Sequence, residues 1–311
     1  MKLVYFDDFR LGILKDGAVF DISSIADEMP KTAPQDLMAG LIARFDHFRA
    51  RLEGATTNGG GIPVGSVRLR PPLPRPANIV CMALNYFDGK IGPERAPIDS
   101  FTKAAGSIIG PDDTMILPDY PAIAFEGEAE MAVVIGKRAT NVSEADAMDH
   151  VFGYMNFIDG SARGASSLFQ VKARETFAPI GPYLVTADEV RDPYDLRVRL
   201  WINGALKQDF NTGAMAHRIA RCIAWVSSVH TLEPGDVLAT GTSHDGLSSF
   251  QDGDLVELET EGLGKLRVRV RDDLKRTWER DSWLERRAKG IPENANRQLS
   301  GKHAPERNPQ T

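Results

Sequence analysis

The chain has 311 residues and a formal net charge of −6, with acidic and basic residues scattered along its whole length. This length is enough for one large domain plus a small one, and neither a basic stripe nor an apolar run of roughly 20 residues points to nucleic-acid or membrane partners. The start of the chain turns acidic too soon for a secretory signal, so a cytoplasmic protein is the default expectation.

Residues 1–70 are predicted to form a small, separate N-terminal α+β domain. Residues 2–6 and 17–22 have the composition of short strands, and residues 35–53 are predicted to form a helix. A proline-rich run at residues 71–76 follows. Such a run is stiff and cannot lie inside a helix or a sheet, so we place the domain boundary there.

The next region, residues 71–272, is predicted to be the catalytic domain and to be mostly β. Apolar or alternating runs predict strands at residues 78–83, 196–202, 237–240, 254–259 and 266–270. Apolar residues at helical spacing from Met215 to Val226 predict a helix. The two cysteines, Cys81 and Cys222, form neither a disulfide framework nor a zinc pattern, and we interpret both as buried small apolar residues.

The last region, residues 273–311, is charged and carries Trp278 and Trp283. We expect a short helical arm followed by a disordered end. The two tryptophans are interpreted as docking this arm on a neighbouring subunit, in preference to stacking on a ligand.

A pair of glutamates in the middle of the chain carries the strongest functional signal. Glu128 and Glu130 lead into the apolar run 131–135, and Asp159 closes a second apolar stretch at 151–158. Residues two apart on a strand share one face, and buried carboxylates are costly unless a cation pairs with them. The pattern therefore predicts a divalent metal, and three oxygen donors favour magnesium, manganese or calcium over zinc.

Two alternatives stay open at this point. The three acids could instead be surface carboxylates on an exposed sheet edge, although their apolar flanks argue against it. Glu126 would share their face if the strand begins early, and it is then either a fourth ligand or, as we prefer, a solvated acid at the entry of the strand.

Three stretches of sequence resemble the fumarylacetoacetate hydrolase family. They are residues 128–137, the Gly-Tyr and Asp-Gly-Ser-Ala-Arg motifs within 153–163, and residues 232–242, and the order and spacing match across residues 75–271. The resemblance implies a mixed β-roll catalytic domain, a small leading domain, and assembly as a homodimer or higher homo-oligomer. The fold class expected is α+β, mostly β.

The resemblance also implies a set of site residues. Mg²⁺ or Mn²⁺, with Ca²⁺ as a further candidate, would be held by Glu128, Glu130 and Asp159. The other positions matching family motifs face the substrate or close over it, and they are Asn85, Tyr86, Arg163, Lys172, Thr176, Thr240, Gly241 and Thr242. We assign catalytic roles to Lys172 and Thr242 and substrate binding to the rest; Arg163 could equally pair with a nearby acid.

The chain departs from the family at the segment after Asn85-Tyr86, which acts as a lid. Hydrolytic members carry a histidine there, paired with a glutamate that activates water, but this chain has Gly89, and Glu94 has no histidine to act with. A substitute base is His244, which we assign to proton transfer or carboxylate binding; the alternative is a solvated loop histidine. Asp88 and Lys90 could replace the lost chemistry, but we prefer to interpret them as ordinary charges of a flexible lid.

The family resemblance implies acid–base chemistry on a small oxo acid, assisted by a metal and a lysine. The leading hypothesis is hydrolytic C–C cleavage of a dioxo acid, acylpyruvate- or fumarylpyruvate-like, in aromatic or sugar-acid catabolism. The alternative is an isomerase, hydratase, dehydratase or decarboxylase acting on the enol of a 2-oxo acid. A second alternative is a catalytically silent member that only binds an oxo acid.

Overall fold

The computed structural model describes residues 1–57, 59–92 and 94–305 of the chain. Strands dominate this described part, and they form two mixed sheets and a small two-stranded one. The expected fold class, α+β with mostly β structure, is therefore confirmed. None of the described helices is long and apolar enough to cross a membrane.

The N-terminal region contains five short strands and two helices. They are β1 (Lys2–Phe6), β2 (Arg10–Lys15), β3 (Ala18–Asp21), α1 (Pro34–Ala43), α2 (Phe45–Ala55), β4 (Ile62–Pro63) and β5 (Leu69–Arg70). The single helix predicted over 35–53 is wrong, because the backbone leaves helical geometry at Arg44, with φ −121° and ψ 23°. The buried apolar residues keep helical spacing across this break, so the pattern did not reveal it.

The central region supplies most of both sheets. Its elements are β6 (Ile79–Ala83), β7 (Asp99–Thr102), β8 (Ile108–Ile109), β9 (Thr114–Ile116), β10 (Ala124–Ile135), β11 (Val151–Arg163), α3 (Leu168–Lys172), β12 (Ala178–Thr186), β13 (Arg197–Ile202), β14 (Ala205–Asn211), α4 (Ile219–Val229), β15 (Val237–Ala239), β16 (Leu255–Thr260) and β17 (Lys265–Arg271). The strands predicted in this region are confirmed. The predicted helix begins later than expected, at Ile219, and Met215 lies before it.

The larger sheet has twelve strands, with the main order β4-β3-β2-β1-β12-β11-β10-β15-β6-β7. The N-terminal strands continue this sheet, because Lys2 of β1 pairs with Val185 of β12. One hydrophobic core likewise joins α1 and α2 to β6, β10 and β11. The predicted domain boundary between residues 70 and 71 stays a prediction. The regions before and after it share one sheet and one hydrophobic core.

Strand β10 lies in the interior of this sheet and is buried at every position. Its residues contribute to three separate hydrophobic clusters, one of which packs it against the five-stranded sheet β14-β13-β16-β17-β9. A polar side chain on β10 therefore has little access to bulk water and must find most of its partners inside the protein.

The C-terminal arm, residues 273–305, is folded onto the rest of the chain. It contains β18 (Thr277–Trp278), α5 (Trp283–Ala288) and β19 (Gln298–Ser300), and β18 pairs with β19. The expected short helix is present as α5, and the arm stays ordered up to residue 305, where it also contains the β18–β19 pair. The part of the predicted disordered end at residues 306–311 lies outside the described residues. Trp278 and Trp283 are 1% and 7% exposed within this chain alone, so the docking of both on a neighbouring subunit is wrong.

Candidate metal centre and active site

The strand register brings the three predicted metal ligands together. Glu128 of β10 lies directly opposite Asp159 of β11, and Glu130 follows two residues later on the same strand face. One carboxylate oxygen from each of these three residues lies within 4.8 Å of the others. All three are buried, so the alternative of surface carboxylates on an exposed edge is wrong.

The donor set fits a hard divalent cation. Three carboxylates offer only oxygen, which suits magnesium, manganese or calcium. Burial, together with the charges of Asp159 and Glu128, raises the pKa of Glu130 well above its ordinary value. The N–H of Gly241 donates to this carboxylate at 2.7 Å. The geometry and the electrostatics of Glu130 therefore both favour a cation at this point.

Lys172 lies among the same carboxylates. Its ammonium donates to Glu128 Oε2 at 2.9 Å and to Asp159 Oδ2 at 2.5 Å. Burial opposes the charged form of this lysine, but the charges of Asp159 and Glu128 outweigh it and raise its pKa. Burial likewise opposes ionisation of Glu128, and the charges of Lys172 and Arg163 reverse that effect and lower its pKa. Lys172 is therefore a fixed positive charge at the centre.

A second buried lysine was missed by the sequence reasoning. Lys103, just after β7, donates from Nζ to Asp159 Oδ1 at 2.6 Å, to Gly160 O at 3.0 Å and to Lys172 O at 2.6 Å. These three bonds use all three donors of the ammonium. Nothing in its local sequence marks Lys103 as buried, and the short strand before it, Asp99–Thr102, has only exposed and partly exposed residues.

Glu126 is neither a solvated acid nor one of the three clustered ligands. Its side chain is completely buried, so the preferred interpretation of a solvated strand-entry acid is wrong. Glu126 Oε2 accepts from Arg163 Nε at 2.7 Å, and Arg163 Nη2 also bonds to Glu128. Arg163 thus pairs with two acids, as one of its two interpretations expected, and its predicted role in substrate binding stays a prediction.

Two residues of the C-terminal arm complete the shell around Glu126. Trp283 Nε1 donates to Glu126 Oε1 at 2.7 Å, and Arg297 Nη1 donates to the same oxygen at 2.5 Å. The arm residues were missed because they lie more than 150 positions along the chain from Glu126, at separations of 157 and 171. Their contacts place the arm beside the metal centre.

His244 is paired with the lid. Its backbone N–H and its Nδ1 both contact Asp88 Oδ2, at 2.7 and 3.0 Å. The Asp88 side chain is only 2% exposed and that of His244 8%, so the interpretations of Asp88 as an ordinary lid charge and of His244 as a solvated histidine are wrong. Burial opposes ionisation of Asp88, but the bonds from His244 outweigh it and lower its pKa to about 2.

Most of the remaining predicted residues form hydrogen bonds within the protein, next to the metal centre. Asn85 Nδ2 donates to the carbonyl of Thr240 at 2.9 Å, and the Thr240 hydroxyl donates to Met131 O at 2.8 Å. The Thr242 hydroxyl accepts from Gln208 Nε2 at 2.8 Å. These bonds tie the 240–242 turn to β10 and its neighbours, and the predicted contacts of these residues with a substrate stay predictions.

Tyr86 and Thr176 differ from this supporting group. The Tyr86 hydroxyl is buried and makes no well-formed hydrogen bond within the described residues, although an unpaired buried hydroxyl costs about 1–3 kcal/mol. The Thr176 hydroxyl accepts the N–H of Ile116 at 2.9 Å, and its φ is +64°. A bound group would be a favourable partner for Tyr86, whereas the Thr176 hydroxyl already has a backbone donor.

Both cysteines are free and buried, as predicted. Burial raises the pKa of the Cys81 thiol well above its ordinary value and that of the Cys222 thiol to about 12. Neither thiol is therefore a nucleophile near neutral pH.

Comparison with known proteins identifies the family. Residues 78–271 match the model of the fumarylacetoacetate (FAA) hydrolase C-terminal domain. The mitochondrial oxaloacetate tautomerase of Xenopus laevis is 33% identical over 290 residues, which cover 86% of this chain and 89% of that protein. The family match ends at Arg271, so the C-terminal arm lies outside it.

Two solved structures are similar over most of the chain. Maleylpyruvate hydrolase from Sphingobium sp. SYK-6, in complex with manganese(II) and pyruvate, has 35% identity and a TM-score of 0.80, covering 88% of this chain and 99% of its own. A 2-hydroxyhepta-2,4-diene-1,7-dioate isomerase from Mycobacterium marinum has 30% identity and a TM-score of 0.67, with 88% and 99% covered. The buried Glu-Glu-Asp cluster lies on two paired strands within the matched residues 78–271. The chain belongs to the fumarylacetoacetate hydrolase family.

Proposed function

We propose that the protein is a divalent-metal-dependent enzyme that moves a proton between the enol and keto forms of a small 2-oxo acid, with oxaloacetate as the model substrate. The observation that carries this proposal is the buried Asp88–His244 pair next to the Glu-Glu-Asp cluster. The similarity to an oxaloacetate tautomerase supports it.

The metal site in this proposal consists of Glu128, Glu130 and Asp159. A bound Mg²⁺ or Mn²⁺ would supply a Lewis acid that polarises the 2-oxo group and acidifies the neighbouring C–H. The residues of the chain then have to bind the acid, exclude water and hold the proton.

His244 is the proton carrier. An ionised carboxylate only accepts hydrogen bonds, so the 3.0 Å contact with Asp88 makes Nδ1 the protonated ring nitrogen. Nε2 is then free to take a proton from the carbon next to the carbonyl and to return it at the other position. Asp88 is a positioning residue that fixes this tautomer and stabilises the charged ring.

Lys172 and Arg163 supply the positive charge that an oxo acid needs. The Lys172 ammonium is held by Glu128 and Asp159, and a fixed ammonium stabilises negative charge that develops on a nearby oxygen. Arg163 keeps a partly exposed side chain, at 20%, and so retains surface for a substrate carboxylate. This arrangement argues against a silent binding protein.

Hydrolytic C–C cleavage of a dioxo acid is the second candidate. The similarity to a maleylpyruvate hydrolase favours it, and an Asp–His pair can also activate water. Two features favour proton transfer: Gly89 replaces the lid histidine that hydrolytic members are expected to carry, and Glu94 is exposed. The homo-oligomer and the cytoplasmic location stay predictions.

The experiment is a product analysis with Mn²⁺-loaded protein and Mg²⁺-loaded protein. Oxaloacetate is followed by the decay of enol absorbance and by deuterium uptake at carbon 3, and acylpyruvates and maleylpyruvate are followed by product mass. Faster enol decay and faster deuterium uptake at carbon 3, with the carbon skeleton intact, support the proposal. Addition of water across a broken C–C bond establishes the second candidate, and no turnover with any of these acids contradicts both.

A further inference from the structure

The C-terminal arm contributes a tryptophan to the centre of the site. Trp283 is nearly buried, and its ring lies 5.8 Å from that of His244, measured between centroids. The Arg163 guanidinium lies 5.4 Å from the indole, and the Lys90 ammonium lies 4.7 Å from it. The indole therefore fills the space between the predicted proton carrier, the lid and the arginine next to Glu128.

The arm is held in this position by several independent contacts. The N–H of Trp283 donates to Leu247 O and that of Leu284 to Asp245 O, both at 2.9 Å, which ties α5 to the loop that carries His244. Arg297 N donates to Ile123 O at 3.0 Å, just before β10. Because the arm is bonded both to the His244 loop and to the segment before β10, the Trp283 indole has little freedom to move away from a ligand.

The position of the Trp283 indole matters because of the direction in which a bound 2-oxo acid would extend. A cation and Lys172 would bind the carboxylate and the oxo group, and in the proposed reaction His244 reaches carbon 3, so the rest of the acid extends toward His244. Trp283 lies beside His244 on that path. A large, rigid side chain at this point leaves room for a short acid and clashes with a longer one.

We infer that the C-terminal arm is part of the active site and that Trp283 is the residue that sets the length of acid the site accepts. This inference rests on the proposed function in taking a 2-oxo acid as the ligand and His244 as the group that reaches its carbon 3. Trp283 also bonds to Glu126, which holds Arg163, so its indole has a packing role and a hydrogen-bonding role that can be separated.

The test is equilibrium binding of a homologous series to Mn²⁺-loaded, full-length protein. Pyruvate, 2-oxobutyrate, 2-oxovalerate and 2-oxohexanoate differ by one methylene at a time, and binding is read by calorimetry. In the wild-type protein we expect 2-oxohexanoate to bind at least about 10-fold more weakly than pyruvate, since a filled pocket discriminates by roughly 10-fold or more for each methylene.

Trp283→Ala and Trp283→Leu should remove most of this discrimination, leaving the two acids within about 3-fold of each other. Trp283→Phe should keep it, because a ring remains although the hydrogen bond to Glu126 is lost. Trp283→Leu retains an apolar side chain, so the test survives if the alanine variant does not fold. Trp201→Ala is the matched control, because Trp201 is also flanked by two cations, Arg199 and Lys265, but lies on β13.

The outcomes separate this inference from the proposed function. If the wild-type protein binds the acids and folded Trp283→Ala or Trp283→Leu keeps the wild-type ratio, the inference is overturned and the proposed function stands. An equal effect of Trp201→Ala also overturns it. If the wild-type protein binds none of the acids, the inference is overturned, and the oxaloacetate assay decides the proposed function separately.

Discussion

The three carboxylates of the metal centre lie on two neighbouring strands, whereas the residues that surround them on the lid side come from distant segments. Glu128, Glu130 and Asp159 owe their arrangement to one strand pairing. The outer group, which we call the rim and which consists of Asp88, His244, Trp283 and Arg297, comes from two loops and the C-terminal arm. A paired sheet resists displacement, while loops and an arm can be altered without disturbing it.

The site therefore has a centre held by a sheet and a rim held by loops and the arm. In the proposed function, the centre binds the metal and the oxo acid. The rim moves the proton and limits the length of the acid. Changes in the centre should therefore abolish function, and changes in the rim should modify it. The largest effect is expected where a metal ligand is removed.

Asp159→Asn should abolish stoichiometric Mn²⁺ binding and, with it, turnover. Removing one of three ligands should cost more than the roughly 10–100-fold that is typical for an outer partner of a metal site. Electron paramagnetic resonance of free Mn²⁺ measures the binding. Glu126→Gln is the matched control, because Glu126 is fully engaged by Arg163, Arg297 and Trp283 and its variant should still bind one ion. Stoichiometric metal in Asp159→Asn would contradict the assignment.

His244→Gln should lower kcat by roughly 10²–10⁴-fold, the usual contribution of a general acid or base, and should leave Mn²⁺ affinity unchanged. Steady-state kinetics with the acid that is turned over in the product analysis measures the change in kcat. Metal titration measures the Mn²⁺ affinity. His150→Gln serves as the control, since His150 is partly exposed and its Nδ1 lies 3.1 Å from Lys137 O. Unchanged kcat and KM in His244→Gln would remove His244 from the mechanism.

Lys103→Met should destabilise the metal-free protein by about 3 kcal/mol, because removing one partner of a buried ion pair leaves an uncompensated charge. Urea unfolding measures the change. Lys302→Met is the control: its pair with Asp119 has the same 2.6 Å contact, but both side chains are half exposed, so the expected loss is at most about 1 kcal/mol. Equal losses of unfolding free energy in both variants would show that the buried Lys103 pair contributes no more stability than an exposed pair.

Asp88→Asn should destabilise the protein by about 1 kcal/mol near neutral pH, allowing for solvent screening. The pKa of Asp88 falls from 3.8 to about 2 on folding, so its stabilisation is complete above about pH 5 and disappears as the pH drops through 2. The difference between wild type and variant should shrink to about half at pH 3. Urea midpoints at pH 5 and pH 3 test this, and a constant difference would contradict it.

The difference between the centre and the rim also explains how much of the site could be predicted from the sequence. Glu128 and Glu130 are two apart on an apolar strand, so their shared face follows from strand geometry alone. Glu126 was placed on the correct face but in the wrong environment, because its partners Trp283 and Arg297 lie in the arm. A pattern of neighbouring residues carries no information about contacts across 150 positions.

Lys103 and Asp88 show the same limit. Lys103 and Asp159 are 56 positions apart, and Asp88 and His244 are 156 positions apart. Each looks like an ordinary charged residue in its own segment, and only the folded chain shows that its charge is buried. The break at Arg44 was missed for a different reason, since the apolar spacing continues through it.

The buried side chains around Glu128 have a consequence for the order of binding. Four acids, Glu126, Glu128, Glu130 and Asp159, lie among four cations, Lys103, Arg163, Lys172 and Arg297. The numbers are equal, so with every group ionised the cluster is neutral. A divalent ion gives it an excess of two positive charges in a nearly dry environment. A doubly negative acid restores neutrality, so metal and dianion should each strengthen the binding of the other.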